Sequence, residues 1–176
     1  MDPGVIIGAG IGAAGGFGGG FLALLTQTKN IKAQHDAERA RWLADVRRET
    51  YTAFVTATKD LSKALWRASD QLHDTDAGTS DWQAAFREVH DAWTVFSAAS
   101  AAVTMSGPHP VAERADDLRH AMRYWEMLTG AWINAAISHG DGRTPEYHDR
   151  FTDAATAKRP KEAAFQSAAR KALGTE

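Results

Sequence analysis

The stretch from residue 110 to residue 140, PVAERADDLRHAMRYWEMLTGAWINAAISHG, decides the fold class. Its apolar residues follow one another at steps of three and four: Val111, Ala115, Leu118, Met122, Trp125, Leu128, Trp132 and Ala136. This spacing places all of them on one face of an α-helix. A proline at the start and a glycine after the end are typical helix boundaries. The stretch therefore predicts a long helix with one buried face.

The chain before this helix predicts two more helices of the same kind. The first runs from the N-terminal segment to about Leu72, and a polar turn follows at residues 73–79. The second begins at Ser80, with Gln83 three residues later in the pattern of a capping box. Its apolar stripe consists of Trp82, Phe86, Val89, Trp93, Phe96, Ser100 and Val103. The sequence SGPHP at 106–110 ends it.

A fourth helix is predicted after residue 140, with Thr144 as N-cap and Pro145 in the first helical position. We expect Pro160 to break or kink it, because proline removes a backbone donor and clashes with the preceding turn. A last piece, 161–173, then packs weakly. Because the connections are short, neighbouring helices should be antiparallel. Residues 29–176 are thus predicted to form an all-α, antiparallel up-down helical bundle.

Residues 1–28 differ from the rest because no charged residue lies between Pro3 and Thr28. The core of this segment, residues 5–25, reads VIIGAGIGAAGGFGGGFLALL. As a helix it would be about 30 Å long, which matches the hydrocarbon core of a bilayer. Asp2 replaces the basic start that a signal peptide requires. The segment is therefore predicted to be a transmembrane anchor; the alternative is a glycine-rich tail.

Glycine recurs every four residues in this segment, at Gly4, Gly8, Gly12, Gly16 and Gly20. The series resembles the glycine-zipper membrane helices, in which small residues let a second helix approach closely. A second row of small residues is Gly10, Ala14 and Gly18. The two rows predict a homo-oligomer of more than two copies, held together through the anchor.

Basic residues follow the segment directly, and the first four are Lys29, Lys32, Arg39 and Arg41. No lysine or arginine precedes the segment. The positive-inside rule then predicts a single-pass protein of the cell membrane, with its N-terminus outside and residues 29–176 in the cytoplasm.

Candidate chemistry is sparse. The chain has no cysteine, and its net charge of -2 does not favour a nucleic-acid partner. Two Asp-x-x-His pairs, Asp70 with His73 and Asp117 with His120, have a spacing found in metal-binding bundles. The apolar stripes leave these pairs off the core, so we expect solvated side chains there. We predict no catalytic residues, no metal site and no cofactor.

The six tryptophans are expected to be structural. Four of them lie on apolar stripes: Trp82, Trp93, Trp125 and Trp132. Trp66 neighbours Leu65 and should help to close the bundle. Trp42 lies too far beyond Leu25 for an interfacial belt, so a place in the core is favoured over a ligand site.

One pattern just after the uncharged segment consists of Trp42, Arg47, Arg48, Glu49, Tyr51 and Phe54. In this setting it resembles uncharacterised actinobacterial single-pass membrane proteins, over residues 1 to about 70. The resemblance implies a helical cytoplasmic domain. It implies no known activity and transfers no functional residues.

These expectations lead to a non-enzymatic, self-associating scaffold protein whose anchor lies in the lipid bilayer and whose helical bundle presents a cytoplasmic surface to a protein partner. Two alternatives stay open at this point. One is a pore-forming or membrane-disrupting effector whose zipper helices line a channel. The other is a metal-binding helical bundle.

Overall fold

The computed structural model describes the backbone of residues 14–175 and the side chains of residues 34–175. Four α-helices account for nearly all of this part of the chain, which contains no strand. They are α1 (Ala14–His73), α2 (Thr79–Ser106), α3 (His109–His139) and α4 (Pro145–Ala172). The all-helical prediction is confirmed, and so are the end of the first helix near Leu72 and the extent of the third.

The chain divides into two compact units, Met1–Ala44 and Asp45–Glu176. In the first unit, the described residues belong to the early part of α1. Within residues 14–175, no helix is both long and apolar enough to span a membrane. The anchor predicted at 1–28 lies in part outside these residues, because residues 1–13 are not described.

In the second unit, α1 and α2 are antiparallel neighbours. Near one end of the pair, Arg47 Nε donates a hydrogen bond of 3.1 Å to the carbonyl oxygen of Ser106. Near the other end, Trp82 Nε1 donates to the carbonyl oxygen of Gln71 at 3.2 Å. The start of each helix thus meets the end of the other, as the short turn at 74–78 requires.

Helix α3 continues the alternation, since the guanidinium of Arg123 on α3 lies 5.0 Å from the centre of the Trp93 ring on α2. Helix α4 returns beside α3, where the rings of Trp132 and Tyr147 are 6.4 Å apart. It also closes the ring of helices against α1.

Two contacts establish the α1–α4 pairing. Lys158 Nζ donates to Ser62 Oγ at 3.2 Å, and the ring of Phe165 lies 4.8 Å from that of Phe54. Residue numbers rise along α4 as they fall along α1. The second unit is therefore an up-down-up-down four-helix bundle.

Every apolar residue that defines the predicted face of α3 is buried. The largest fully buried side chains come from all four helices, and the aromatic ones are Trp125, Trp132, Phe54, Phe96, Phe151 and Phe165. Aromatic rings that meet edge to face, such as Phe54 and Phe165 at 75°, add to the free energy gained by burying their area.

The start of α2 differs from the prediction. The helix begins at Thr79, and Gly78 is its N-cap. Asp81 Oδ2 accepts a hydrogen bond of 2.9 Å from the Gly78 backbone N–H. The capping box therefore uses Asp81, and the predicted pairing of Ser80 with Gln83 is wrong. Carboxylate acceptors at this position satisfy a free donor and favour the positive end of the helix dipole.

Of the two outcomes expected at Pro160, a break or a kink, the break does not occur. Helix α4 continues through Pro160 to Ala172, and Pro160 is exposed. The carbonyl oxygen that loses its helical donor belongs to Thr156, which is exposed too, so water can satisfy it. Beyond the proline, Phe165 is fully buried rather than loosely packed.

Two aromatic residues lie elsewhere than expected. Phe86, placed on the apolar stripe of α2, is 40% exposed, and Ala85 beside it is buried instead. Trp42 is 62% exposed, so its predicted place in the core is wrong. Trp66 is 41% exposed, yet its ring contacts Trp125 edge to face at 6.0 Å, as a residue that closes the bundle should.

The turn between α3 and α4 is held against the end of α1. Gly140 ends α3 with a positive φ of 70°, as predicted for a C-terminal glycine. Two residues later, the carbonyl oxygen of Gly142 accepts a hydrogen bond of 2.7 Å from Trp132 Nε1. A Cβ at Gly142 would collide with the carbonyl oxygen of Leu72, so only glycine allows this close approach of two backbones.

Candidate functional site

The residues predicted to pack the anchor and to set its orientation fall into three groups. Three glycines lie outside the described residues: Gly4, Gly8 and Gly12. Four residues lie on the backbone of α1: Gly16, Gly20, Lys29 and Lys32. Arg39 and Arg41 are exposed on α1. All of these positions precede Asp45, where the second unit begins.

The two Asp-x-x-His pairs do not form a ligand set. His73 Nδ1 lies 2.8 Å from the carbonyl oxygen of Ser69, one turn earlier in α1. His120 Nδ1 lies 2.9 Å from the carbonyl oxygen of Asp116. Across the part of the chain that the structure describes, no three histidine, aspartate or glutamate side chains converge as a metal ion requires.

One histidine pair does come together across helices. The rings of His73 and His148 are 4.8 Å apart and nearly perpendicular, and the His73 ring also lies 5.2 Å from that of Trp132. Both histidines are exposed. The pair packs on the buried tryptophan at the end of the bundle, which is the edge-to-face arrangement that aromatic rings prefer.

A wide surface concavity lies beside α1 and is closed on one side by Val95 of α2. We refer to it as the α1/α2 groove. It has a volume of about 610 Å³ and is lined by Asp45, Arg48, Glu49, Thr52, Ala53, Thr56, Ala57, Asp60 and Val95. Its floor is apolar, and Val95 is 62% exposed there. Carboxylates dominate its edges.

A second concavity of about 440 Å³ lies further along the same pair of helices. The ion pair of Arg67 with Glu88, 2.7 Å long, joins α1 to α2 at this place. Both side chains are about half exposed, so the pair contributes on the order of 0–1 kcal/mol to stability. Asp70 and Asp81 also line the concavity, which is polar and open.

Tyr51 lies at the opposite side of α1, beside α4 and the α2–α3 turn. Its hydroxyl is buried and has no hydrogen-bond partner among the described residues. Burial raises the pKa of the Tyr51 phenol, and the nearby charge of Arg47 lowers it in part. A neutral phenol in this setting is a packing group, since neither a base nor an acid accompanies it as general acid–base chemistry requires.

The α1/α2 groove was not foreseen from the sequence, because its α1 residues other than Ala57 are exposed and most of them are polar. A signal was nevertheless present in α2. Residues 98–102 read AASAA, so the side chains of α2 between Ser97 and Val103 are all small. Small side chains on one helix leave the neighbouring helix partly uncovered.

The arrangement defines a class: a four-helix bundle with a solid aromatic core and open grooves on its surface. Its polar side chains lie on the outside, apart from a few hydroxyls such as Thr58 and Thr129, which bond to their own helices. No family model, no curated protein and no solved structure matches the chain. The particular function must therefore be argued from the residues themselves.

Proposed function

We propose that this chain is a single-pass protein of the cell membrane that self-associates and acts as a non-catalytic scaffold. The observation that carries the proposal is the absence of charge between Pro3 and Thr28, over a length that matches a bilayer. The lipid bilayer is its first partner. Its helical bundle binds a protein partner on the cytoplasmic side.

Self-association is supported by the four-residue glycine series. A helix that carries glycine on one face lets a second backbone approach closely, and in lipid such packing replaces the hydrophobic drive that acts in water. The second row at Gly10, Ala14 and Gly18 supports contact with two neighbours at once.

The non-catalytic part of the proposal is supported by the character of the bundle. Its concavities are open, and the described residues bring together no set of three potential metal ligands. An enzyme site is normally a deep pocket in which a few polar groups converge. The net charge of -2 gives no support to nucleic-acid binding.

Membrane insertion can be tested by adding charge to the segment. The variant Ile11→Lys/Leu22→Lys places two lysines in it, and each costs about 2.5–3.5 kcal/mol near the centre of a membrane helix. The native chain should stay with the membrane through an alkaline wash, and the variant should be released. Gln83→Lys, an exposed position on α2, is the matched control and should stay bound. Release of the native chain by the wash would overturn the proposal.

Orientation can be read from single cysteines, because the native chain has none. A cysteine at Asp2 should react with an impermeant maleimide applied to intact cells. A cysteine at Gln83 should react only after the cells are opened. The reverse pattern would contradict the proposed topology.

The pore-forming alternative is favoured by one observation, the presence of two small-residue rows on neighbouring faces of one segment. A ring of such helices could enclose a narrow channel. Ion flux through liposomes that contain the native chain, abolished by Gly12→Leu/Gly16→Leu, would support a pore. Liposomes that stay tight while the chain still cross-links into oligomers would support the scaffold.

A further inference from the structure

The α1/α2 groove is an acidic site with an apolar floor. Asp45, Glu49 and Asp60 stand against Arg48 as its only basic lining residue, which leaves a net charge of about -2 at neutral pH. Arg48 lies 3.5 Å from Asp45. Within residues 34–175, Glu49 and Asp60 have no ion-pair partner, and both are exposed. The groove therefore presents two exposed carboxylates that form no ion pair with the described residues of their own bundle.

The outer face of α4 has the complementary character. On the side opposite the buried Phe165 and Ala169, α4 carries exposed small residues at Pro160, Ala163 and Ser167. These positions are three and four apart, so they form one smooth strip. The strip is flanked by two exposed basic residues, Arg159 and Lys171.

These two basic residues are also unpaired in their own bundle. Lys158 on the inner side pairs with Glu162 at 2.7 Å and touches Ser62. By contrast, Arg159 and Lys171 form no ion pair with any residue between 34 and 175. The bundle thus has unpaired negative charge at the α1/α2 groove and unpaired positive charge beside the strip of small side chains on α4.

The two surfaces lie at the same height along the bundle. Lys158 is level with Ser62, and Phe165 is level with Phe54. The part of α4 from 158 to 173 therefore runs beside residues 48–62 of α1, which are nearly the same residues that line the groove. Because α2 and α4 lie on different sides of α1, the groove and the outer face of α4 point in different directions.

We propose that the outer face of α4, defined by Arg159, Pro160, Ala163, Ser167 and Lys171, docks into the α1/α2 groove of a second copy of this chain. Two copies that stand side by side at equal height bring Arg159 towards Asp60 and Lys171 towards Glu49. The strip of small residues then lies against Ala53 and Val95. Opposite charges that meet in this way fix register and exclude wrong partners.

The contact is head to tail, because each copy offers a groove on one side and an α4 face on another. Such a heterologous contact continues from copy to copy and produces a ring or a row. An interface of one helix on one groove is small, so the contact should be weak and sensitive to salt. The inference goes beyond the proposed function, because it uses no residue before Asp45.

The test uses full-length chains that each carry one introduced cysteine. Mixing an Asp60→Cys chain with an Arg159→Cys chain and oxidising should give a cross-linked species of two chains. Because each chain has only one cysteine, any cross-link must join different copies. Asp60→Cys mixed with Glu113→Cys, an exposed position on α3, is the control and should give about tenfold less product.

Charge exchange provides the second arm. Glu49→Lys in the groove chain, or Lys171→Glu in the α4 chain, should each lower cross-linking between the reporter cysteines at 60 and 159 several-fold. Combining Glu49→Lys with Lys171→Glu should restore it. Unchanged folding is checked by the helical signal in circular dichroism.

The result expected is a cross-link that depends on opposite charge, is lost at high salt, and survives Gly12→Leu/Gly16→Leu in the anchor. Survival in that variant separates this contact from the proposed zipper, since either can fail without the other. No cross-link above the Glu113 control, or a cross-link that ignores the charge changes, would overturn the inference.

Discussion

Replacing Phe165 by alanine tests whether α4 remains a packed part of the core beyond its internal proline. The ring of Phe165 is fully buried and lies 4.8 Å from Phe54 and 6.0 Å from Tyr51. Removing it deletes a large apolar side chain and leaves a cavity between two helices. Substitutions of this kind lower the free energy of unfolding by about 3–5 kcal/mol.

Phe86→Ala is the matched control, because the same atoms are removed from a side chain that is 40% exposed. A fully buried phenylalanine gains about 1.5–3 kcal/mol over an exposed one, so partial burial corresponds to about 1–2 kcal/mol. The site opens to solvent, and no closed cavity remains to add a further cost.

The assay is urea unfolding of the full-length chain in mild detergent, followed by tryptophan fluorescence. With a slope of about 2 kcal/mol per molar urea, Phe165→Ala should lower the midpoint by about 2 M, and Phe86→Ala by at most about 1 M. Equal shifts for the two variants, or a shift below about 0.5 M for Phe165→Ala, would refute the packing described for the end of α4.

Three further substitutions test local features. Gly142→Ala should lower the free energy of unfolding by at least about 2 kcal/mol because its methyl group meets the Leu72 carbonyl, whereas Gly78→Ala, in open space, should lower it by at most about 1 kcal/mol through the poorer N-cap; thermal unfolding of both variants checks this. Tyr51→Phe should be neutral or stabilising by up to about 1 kcal/mol, since it removes a buried hydroxyl without a partner. Because the pKa of Tyr51 is raised on folding, the folded chain disfavours the phenolate. The free energy of unfolding of the native chain is therefore at its full value below the ordinary pKa of 10.0 and falls as the pH rises through the folded-state value. Ultraviolet titration of the native and variant chains can follow this. Pro160→Ala should stabilise α4 by about 1–2 kcal/mol, as the recovered helical hydrogen bond outweighs the greater freedom of the unfolded chain; a lower urea midpoint would contradict this.

The third helix could be predicted almost completely from the sequence. Its eight apolar positions repeat at steps of three and four, and each one is buried in the structure. The helix ends at Gly140, whose positive φ is the conformation that glycine adopts most easily. The regular apolar spacing and the glycine after the helix indicate the same extent for α3, and tertiary packing does not change it.

The errors arose where a local rule met a tertiary condition. Proline disfavours a helix interior because it lacks a backbone N–H. At Pro160, however, the carbonyl oxygen that loses its donor faces water, and Phe165 is buried about one turn later. The burial of one phenylalanine is comparable with the cost of the proline, so the helix continues. Phe86 follows the heptad spacing but lies beside Gly130, at the edge of the α2–α3 pair.

The α1/α2 groove could not be predicted, because a groove depends on which side chains two helices bring opposite each other. The alanines at 98–102 indicate close helix packing by themselves. When α2 pairs with residues 45–60 of α1, these small side chains do not cover Val95 or the carboxylates of α1, which stay open to a neighbouring molecule.

The mass of the full-length chain after extraction in mild detergent tests the central claim most directly. Light scattering that subtracts the bound detergent should give a discrete multiple of 19.1 kDa, and Gly12→Leu/Gly16→Leu should reduce that multiple. A native chain that is recovered in detergent-free buffer as a dispersed 19.1 kDa monomer would contradict both the anchor and its self-association.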